Sequence, residues 1–225
     1  MSERPEKLML LDSASLYFRA FYGLKESITA PDGTPVNAVR GFLDFITRLV
    51  TDQEPTRLVC CWDDDWRPDF RVAAIPSYKA HRVADVATDA EEIPDTLAPQ
   101  VPVIADVLAA FGIARIGVAG YEADDVIGTL AARSEVPVDV VTGDRDLFQV
   151  VDDARRVRVL YTAKGGVARA ELVGIAGQGH EGNHRVGAGF HRAAYLEVKA
   201  GGLRRGPGID RTAAAAHAAV IACAP

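Results

Sequence analysis

Short apolar runs that end close to acidic residues constrain the fold of this chain more than any other feature. Such runs occupy residues 8–11, 57–62, 114–118 and 136–142. Runs of this length are typical of buried strands, and the segments between them carry apolar residues at helical spacing. Strands that alternate with helices predict an α/β fold with a mostly parallel central sheet flanked by helices. A fifth strand is predicted over residues 157–161.

The segments between the predicted strands are of two kinds. Most carry apolar residues three and four positions apart, which predicts helices over 13–24, 37–51, 102–111, 122–133 and 145–151. The segment 66–95 is polar, contains three prolines and lacks such a pattern. Because it is too long for a plain connection, we expect a functional lid or arch there.

Charge and cysteine content limit the location and the partners. The formal net charge of −6 argues, taken alone, against a nucleic-acid partner. Many of the acids are clustered where bound metal would neutralise them, however, and the segment 67–82 is basic on balance. Cys60 and Cys61 are adjacent on a predicted strand and face opposite ways, so a reducing, cytoplasmic location is expected. No stretch approaches the length needed to span a bilayer, and no membrane partner is expected.

Acidic residues follow four of the predicted strands. In chain order they are Asp12, Asp63, Glu122, Asp124, Asp125, Asp144 and Asp146. Because ligands of an open parallel sheet bind at the carboxyl ends of its strands, all of these acids are expected at one edge. Their mutual repulsion predicts bound divalent ions, and oxygen ligands favour Mg²⁺ or Mn²⁺ over zinc. Two such ions can clamp both oxygens of a phosphodiester displacement.

Some of these acids also have a structural interpretation. Acids in the first turn of a helix are favoured by capping and by the helix dipole, which alone accounts for Glu122, Asp124 and Asp125. The joint placement of the acids after four strands favours the functional interpretation.

The composition changes near residue 173. Ten of the twenty glycines and four of the five histidines follow it, and the acids there are only Glu181, Glu197 and Asp210. We therefore expect two units, a catalytic α/β domain over 1–173 and a divergent tail over 174–225.

The tail also contains a zinc-protease pattern, formed by His180, Glu181 and His184, but that pattern needs both histidines on one helix face. Gly182 within it disfavours a helix, so a metalloprotease stays a remote alternative.

Several short motifs together resemble those of the 5′-nuclease family, as in the 5′→3′ exonuclease domain of bacterial DNA polymerase I and the flap endonucleases. The matching segments are 10–13, 17–21, 38–42, 62–63, 70–71, 78–82, 120–126 and 142–147. The resemblance spans roughly residues 8–172. It implies metal-dependent hydrolysis of DNA near 5′ ends or flaps, in DNA repair and replication, with 5′-phosphate and 3′-hydroxyl products.

The resemblance also implies roles for individual residues. It places one metal ion on Asp12, Asp63, Glu122 and Asp124, and a second largely on Asp144 and Asp146 with Asp125 close by. Among the basic residues, it implies catalytic phosphate contacts for Arg19, Lys79 and Arg82. It implies DNA binding by the arch residues Arg71, Tyr78, Lys79 and Arg82, with Tyr78 able to stack on an unpaired base.

One part of the family pattern is missing. The family continues with an aspartate pair of the form Gly-Asp-x-x-Asp-Asn and a helix-hairpin-helix, of which residues 206–214 keep only a faint echo. We therefore expect an incomplete second metal site, and a shift of reading frame near 173 would explain the change.

The alternatives are a weakly active or inactive DNA-binding fragment and a PIN-type ribonuclease, which lacks the arch. A haloacid-dehalogenase-type phosphatase would need an aspartate where Ala14 stands. A monomer with a functional link to a DNA polymerase is expected.

Overall fold

The central element of the protein is a six-stranded sheet, in which the strands lie in the order Ala114–Gly117, Arg57–Trp62, Leu8–Asp12, Val138–Thr142, Val157–Thr162 and Ala170–Val173. The computed structural model describes residues 5–85, 90–162 and 170–173, with backbone alone for 85, 90 and 170–173. The strands of the sheet are β1 (Leu8–Asp12), β2 (Arg57–Trp62), β5 (Ala114–Gly117), β6 (Val138–Thr142), β7 (Val157–Thr162) and β8 (Ala170–Val173). All neighbours pair in parallel except β8, which runs antiparallel to β7. The predicted mostly parallel α/β fold is confirmed.

In the described part of the chain five α-helices connect these strands. They are α1 (Ser13–Gly23), α2 (Asn37–Gln53), α3 (Asp69–Ala74), α4 (Gln100–Ala110) and α5 (Ala123–Arg133). Four of them lie close to predicted helices, and the short α3 lies within the expected arch segment. The helix predicted over 145–151 is instead a 3₁₀ helix, Asp146–Val150. The arch segment holds α3, the 3₁₀ turn Ala80–Arg82 and a two-stranded hairpin of β3 (Val83–Asp85) and β4 (Ala90–Glu91). Strands of two and three residues are too short to produce a periodic pattern, and the sequence did not predict this hairpin.

Both faces of the sheet are covered by helices. On one face Met9, Leu11 and Cys60 pack with the apolar sides of α1, α2 and α4. On the other face Leu10 and Cys61 pack with α5. The alternation of neighbouring residues between two cores follows from the period of two along a strand, and it confirms that the adjacent cysteines point in opposite directions.

Parallel pairing brings the carboxyl ends of the central strands to a common level. Asp12 is in register with Cys61, and Leu11 with Val141. The residues that follow β1, β2 and β6 therefore meet at one edge of the sheet, as expected for a ligand site of this fold class. In the described part of the chain no helix is long and apolar enough to cross a membrane. The expected tail over 174–225 lies outside the described residues, so the two-unit division stays a prediction.

Candidate metal centre

Asp12 is anchored at the centre of this edge by its neighbours. It caps the N-terminus of α1, where one carboxylate oxygen accepts from the amide of Ser15 at 3.1 Å. The other oxygen accepts from the hydroxyl of Thr142 at 2.6 Å. The carboxylate is 5% exposed. Its orientation is therefore set by two neighbouring elements, the first turn of α1 and the end of β6.

Asp144 is brought beside Asp12 by a tight turn after β6. Its amide donates to the Thr142 hydroxyl at 2.9 Å, so the same hydroxyl organises both acids. The amide of Gly143 donates to the Ser15 hydroxyl at 2.8 Å. A Cβ at position 143 would lie 2.8 Å from that hydroxyl oxygen, so a larger residue would force this turn away from α1. The glycine between Thr142 and Asp144 is thus needed for close approach.

Asp63 and Asp124 complete the group from the opposite side. Asp63 follows β2 and accepts from the amide of Ala123 at 2.6 Å, which ties it to the first turn of α5. Asp124 is the next residue of that turn. We use the name acid cluster for these four carboxylates, Asp12, Asp63, Asp124 and Asp144.

Burial and neighbouring charges shift the pKa values of two members of the acid cluster, Asp12 and Asp124. Burial, opposed by the Thr142 hydrogen bond but assisted by the charges of Asp63 and Asp144, raises the pKa of Asp12 to about 6. Burial and the charges of the other three members raise the pKa of Asp124 well above its ordinary value, and Arg71 only partly opposes this. Carboxylates in this arrangement lack sufficient compensating positive charge.

Glu122 has different partners from the acid cluster. It is 2% exposed and forms ion pairs with Lys79, at 2.7 Å, and with Arg71. The hydroxyl of Tyr78 donates to its carboxylate at 2.8 Å. Arg71 also donates to Asp125 at 2.7 Å, and Asp125 in turn accepts from the Glu122 amide at 3.0 Å. Both acids therefore hold the arch against α5.

The donor set fits a hard divalent cation. In the described residues no three Asp, Glu, His or Cys side chains are placed ready to ligate one ion. The acid cluster nevertheless supplies only oxygen donors. Burial together with repulsion from neighbouring acids raises the pKa values of Asp12 and Asp124, and a divalent cation would relieve that repulsion. Glu122 can join only if it leaves its arch partners.

The other predicted site residues have different surroundings. Asp146 is exposed, and its amide donates to the Asp144 carboxylate at 2.8 Å. Arg82 is also exposed. Arg19 donates to the Thr162 carbonyl at 2.7 Å, which places it at the end of β7. His180, Glu181 and His184 lie outside the described residues.

Arch residues reach the site through an unusual backbone conformation. Lys79 has a φ of +48°, in the left-handed region that non-glycine residues rarely adopt. Its ammonium also donates to the Trp66 carbonyl at 3.0 Å, and burial lowers its pKa. Backbone strain of this kind persists where surrounding contacts hold it, and the Lys79 side chain contacts both Trp66 and Glu122.

Sequence reasoning missed three features of the site. Thr142 organises Asp12 and Asp144, and Ser15 positions the turn between them. Both are polar residues at the end of a strand or the start of a helix, and this placement was the sequence signal that could have identified them. Arg71 was expected to bind DNA, and its ion pairs with Glu122 and Asp125, more than fifty positions away, left no local signal in the sequence.

Related proteins are known from several bacteria. Residues 7–176 match the family described as 5′-3′ exonuclease, N-terminal resolvase-like domain. A 5′-3′ exonuclease of Streptomyces coelicolor is 62% identical over 211 residues, which cover 92% of this chain and 69% of that protein. A 5′-3′ exonuclease of Mycobacterium tuberculosis is 53% identical, covering 92% and 68%. DNA polymerase I of Mycobacterium bovis is 43% identical over 70% of this chain and 17% of that protein.

Solved structures with similar topology include the T5 D15 protein co-crystallised with metal ions, with a TM-score of 0.49 and 16% identity. The match covers 69% of this chain and 55% of that one. The catalytic core of Rad2 in complex with DNA substrate has a TM-score of 0.40 and 21% identity over 72% and 47%. This chain thus spans about half the length of each of these solved chains.

Proposed function

The chain belongs to the 5′-3′ exonuclease family, and from this premise we propose that it hydrolyses DNA phosphodiesters close to 5′ ends or at junctions between single strand and duplex. The observation that carries the proposal is the acid cluster at the carboxyl edge of the sheet. Burial and the charges of neighbouring acids raise the pKa values of two of its members, Asp12 and Asp124, which is typical of a site built to bind cations.

We assign Mg²⁺ or Mn²⁺ to the acid cluster, with Asp12, Asp63 and Asp124 as the principal ligands. A bound divalent ion would activate water and stabilise the negative charge that develops on the phosphate oxygens. The exposed pair Asp144 and Asp146 would hold a second ion at the outer side. Because the family's further aspartate pair is absent from residues 174–225, we expect this second ion to bind more weakly.

The arch cations have a defined part in this proposal. Arg71 and Lys79 are bound to Glu122, and a DNA phosphate offers them the same charge-assisted hydrogen bonds. We infer that the phosphate replaces Glu122 on these two cations. Glu122 would then be released toward the acid cluster, as its expected role as a metal ligand requires. Arg19 and Arg82 would contact phosphates farther along the strand without reading sequence.

The proposed partner is DNA with a 5′ end or flap. Several relatives are DNA polymerase I, which supports a functional link to a polymerase. We further propose a monomeric, cytoplasmic protein. The second candidate function is a fragment that grips a 5′ end without cutting it, and the hold of Arg71 and Lys79 on Glu122 is the observation that favours it.

A cleavage assay separates these functions. A duplex with a fluorescent 5′ flap is incubated with the protein in Mg²⁺, Mn²⁺ or EDTA, beside a duplex with a 3′ flap and an Asp124→Ala variant. We expect cleavage of the 5′ flap only, with either metal, and none with EDTA or with the variant. Binding without cleavage in either metal would establish the second candidate, and cutting of both flaps alike would refute selectivity for 5′ ends.

A further inference from the structure

Two aromatic side chains at the mouth of the metal centre have no part in the proposed function so far. Phe70 and Tyr121 keep 38% and 39% of their surface exposed. Their ring centroids lie 5.8 Å apart at an interplanar angle of 47°. Phe70 lies on α3 in the arch, and Tyr121 directly precedes Glu122. This aromatic pair, Phe70 and Tyr121, thus bridges the arch and the edge of the sheet.

The aromatic pair is held in place beside positive charge. The guanidinium carbon of Arg71 lies 5.4 Å from the Phe70 ring centroid, while the same side chain pairs with Glu122. The Tyr121 carbonyl accepts from the amide of Asp65 at 3.3 Å, and its amide donates to the Val118 carbonyl at 3.0 Å. Exposed aromatic faces next to a cation, on a fixed backbone, suit a flat ligand that carries negative charge.

Tyr78, expected from the sequence to stack on a base, is in a different position. Its hydroxyl donates to Glu122, and its ring lies between two cations, 5.6 Å from Arg71 and 5.5 Å from Lys79. By contrast, each residue of the aromatic pair keeps more than a third of its surface exposed, with Arg71 beside the Phe70 ring.

We propose that the aromatic pair is a stacking site for one unpaired nucleobase of the 5′ strand, beside the metal centre. This inference rests on the proposed function. Stacking on aromatic rings tolerates every base, because each base has a π face, and a neighbouring arginine adds attraction. The site would hold one nucleotide while Arg71 and Lys79 take up an adjacent phosphate, without selecting sequence.

The test measures whether DNA affinity depends on one base and on these two rings. A series of 5′-flap duplexes carries a single abasic residue at successive positions around the junction. Binding is followed by fluorescence anisotropy in Ca²⁺, with gels to confirm that the strand stays intact, and cleavage of the unmodified flap is measured in parallel in Mg²⁺. The variants are Phe70→Leu/Tyr121→Leu, the conservative Phe70→Tyr/Tyr121→Phe, and Tyr22→Leu, which removes an aromatic ring that is 72% exposed elsewhere.

We expect the wild type to lose about 5- to 100-fold in affinity when one particular base is removed. The double leucine variant should show a similar loss with the intact flap and no additional loss with that abasic flap. The conservative variant and Tyr22→Leu should behave as the wild type does. Equal affinity of the wild type for every flap in the series would overturn the inference. This comparison uses the wild type alone, so it does not depend on whether any variant folds. Base dependence that survives in the double leucine variant would also overturn the inference. Absence of cleavage by the wild type in Mg²⁺ would instead overturn the proposed function.

Discussion

At the scale of single residues, Asp124 is a buried carboxylate among other acids, and we expect it to lower the stability of the protein when no cation is bound. The other members of the acid cluster and burial raise its pKa, so its ionised form is unfavourable in the metal-free protein. We predict that Asp124→Asn raises the free energy of unfolding in EDTA by about 1 kcal/mol or more at pH 8, because it removes one of the repelling charges.

The measurement is urea denaturation of both proteins in EDTA. Asp44→Asn serves as the matched control, since Asp44 is exposed on α2 and pairs with Arg40 at 3.4 Å. The control should shift stability by less than about 0.5 kcal/mol. A destabilised Asp124→Asn protein would show that the carboxylate is satisfied by the protein alone.

Asp12 gives the metal-free protein a specific pH dependence. Its folded-state pKa is about 6, above the ordinary value of 3.8, so the folded protein binds this proton more tightly than the unfolded chain does. The resulting stabilisation is fully present below pH 3.8 and is lost as the pH rises through 6. We predict that Asp12→Asn, measured against the wild type in EDTA, gains relative stability across this window. A difference in unfolding free energy that stays constant from pH 4 to pH 7 would contradict the assignment.

At the scale of elements, the two ends of the sheet carry different groups of charged residues. Asp139 of β6 is 1% exposed and pairs with Arg158 of β7 through both carboxylate oxygens, and with Lys7 at 3.3 Å. These residues lie near the amino ends of the strands, away from the acid cluster. A buried carboxylate that loses a partner is costly, although Lys7 would still compensate part of the charge.

We therefore predict that Arg158→Met lowers the free energy of unfolding by about 1–3 kcal/mol and leaves cleavage per folded molecule unchanged. Arg155→Met is the matched control, because Arg155 is exposed and pairs with Asp152 at 3.8 Å. Thermal melts would measure the change in stability. Initial cleavage rates, measured at about 20 °C below the melting transition of each protein, would measure activity separately. Loss of cleavage in a fully folded Arg158→Met protein would show that the two ends of the sheet are not independent.

How much of the structure could be predicted depends on the element. The strands of the sheet followed from their apolar runs, and the strand ends located the acids, because parallel pairing leaves few choices for where Asp12 and Asp63 point. The antiparallel β8 and the β3–β4 hairpin carry too few residues for a pattern. The attachment of Glu122 to Arg71 depends on tertiary contact between segments far apart in sequence, and no local pattern encodes it.

At the scale of the whole molecule, the buried carboxylate of Glu122 helps to couple the arch to the sheet. Glu122 accepts from Tyr78 and pairs with Lys79 and Arg71, all on the arch. Removing its charge should weaken this attachment, since breaking buried ion pairs leaves the cations poorly compensated. We predict that Glu122→Gln speeds amide exchange of residues 67–82 at least about threefold and leaves α2 unchanged.

Hydrogen exchange followed by mass spectrometry measures this directly in the metal-free protein. Glu92→Gln provides the control, because Glu92 is an exposed carboxylate on the same arch segment. Equal protection of the arch in wild type and Glu122→Gln would mean that other contacts hold the arch in place.

The most direct test of the central claim, that the acid cluster is a divalent-metal centre, is Mn²⁺ titration followed by electron paramagnetic resonance. The wild type and Asp44→Asn should bind Mn²⁺ alike, and Mg²⁺ should compete. Asp124→Asn should weaken the tightest site by at least about tenfold, because it removes a charged oxygen ligand. Unchanged Mn²⁺ affinity in a folded Asp124→Asn protein would contradict the assignment of the metal to the acid cluster.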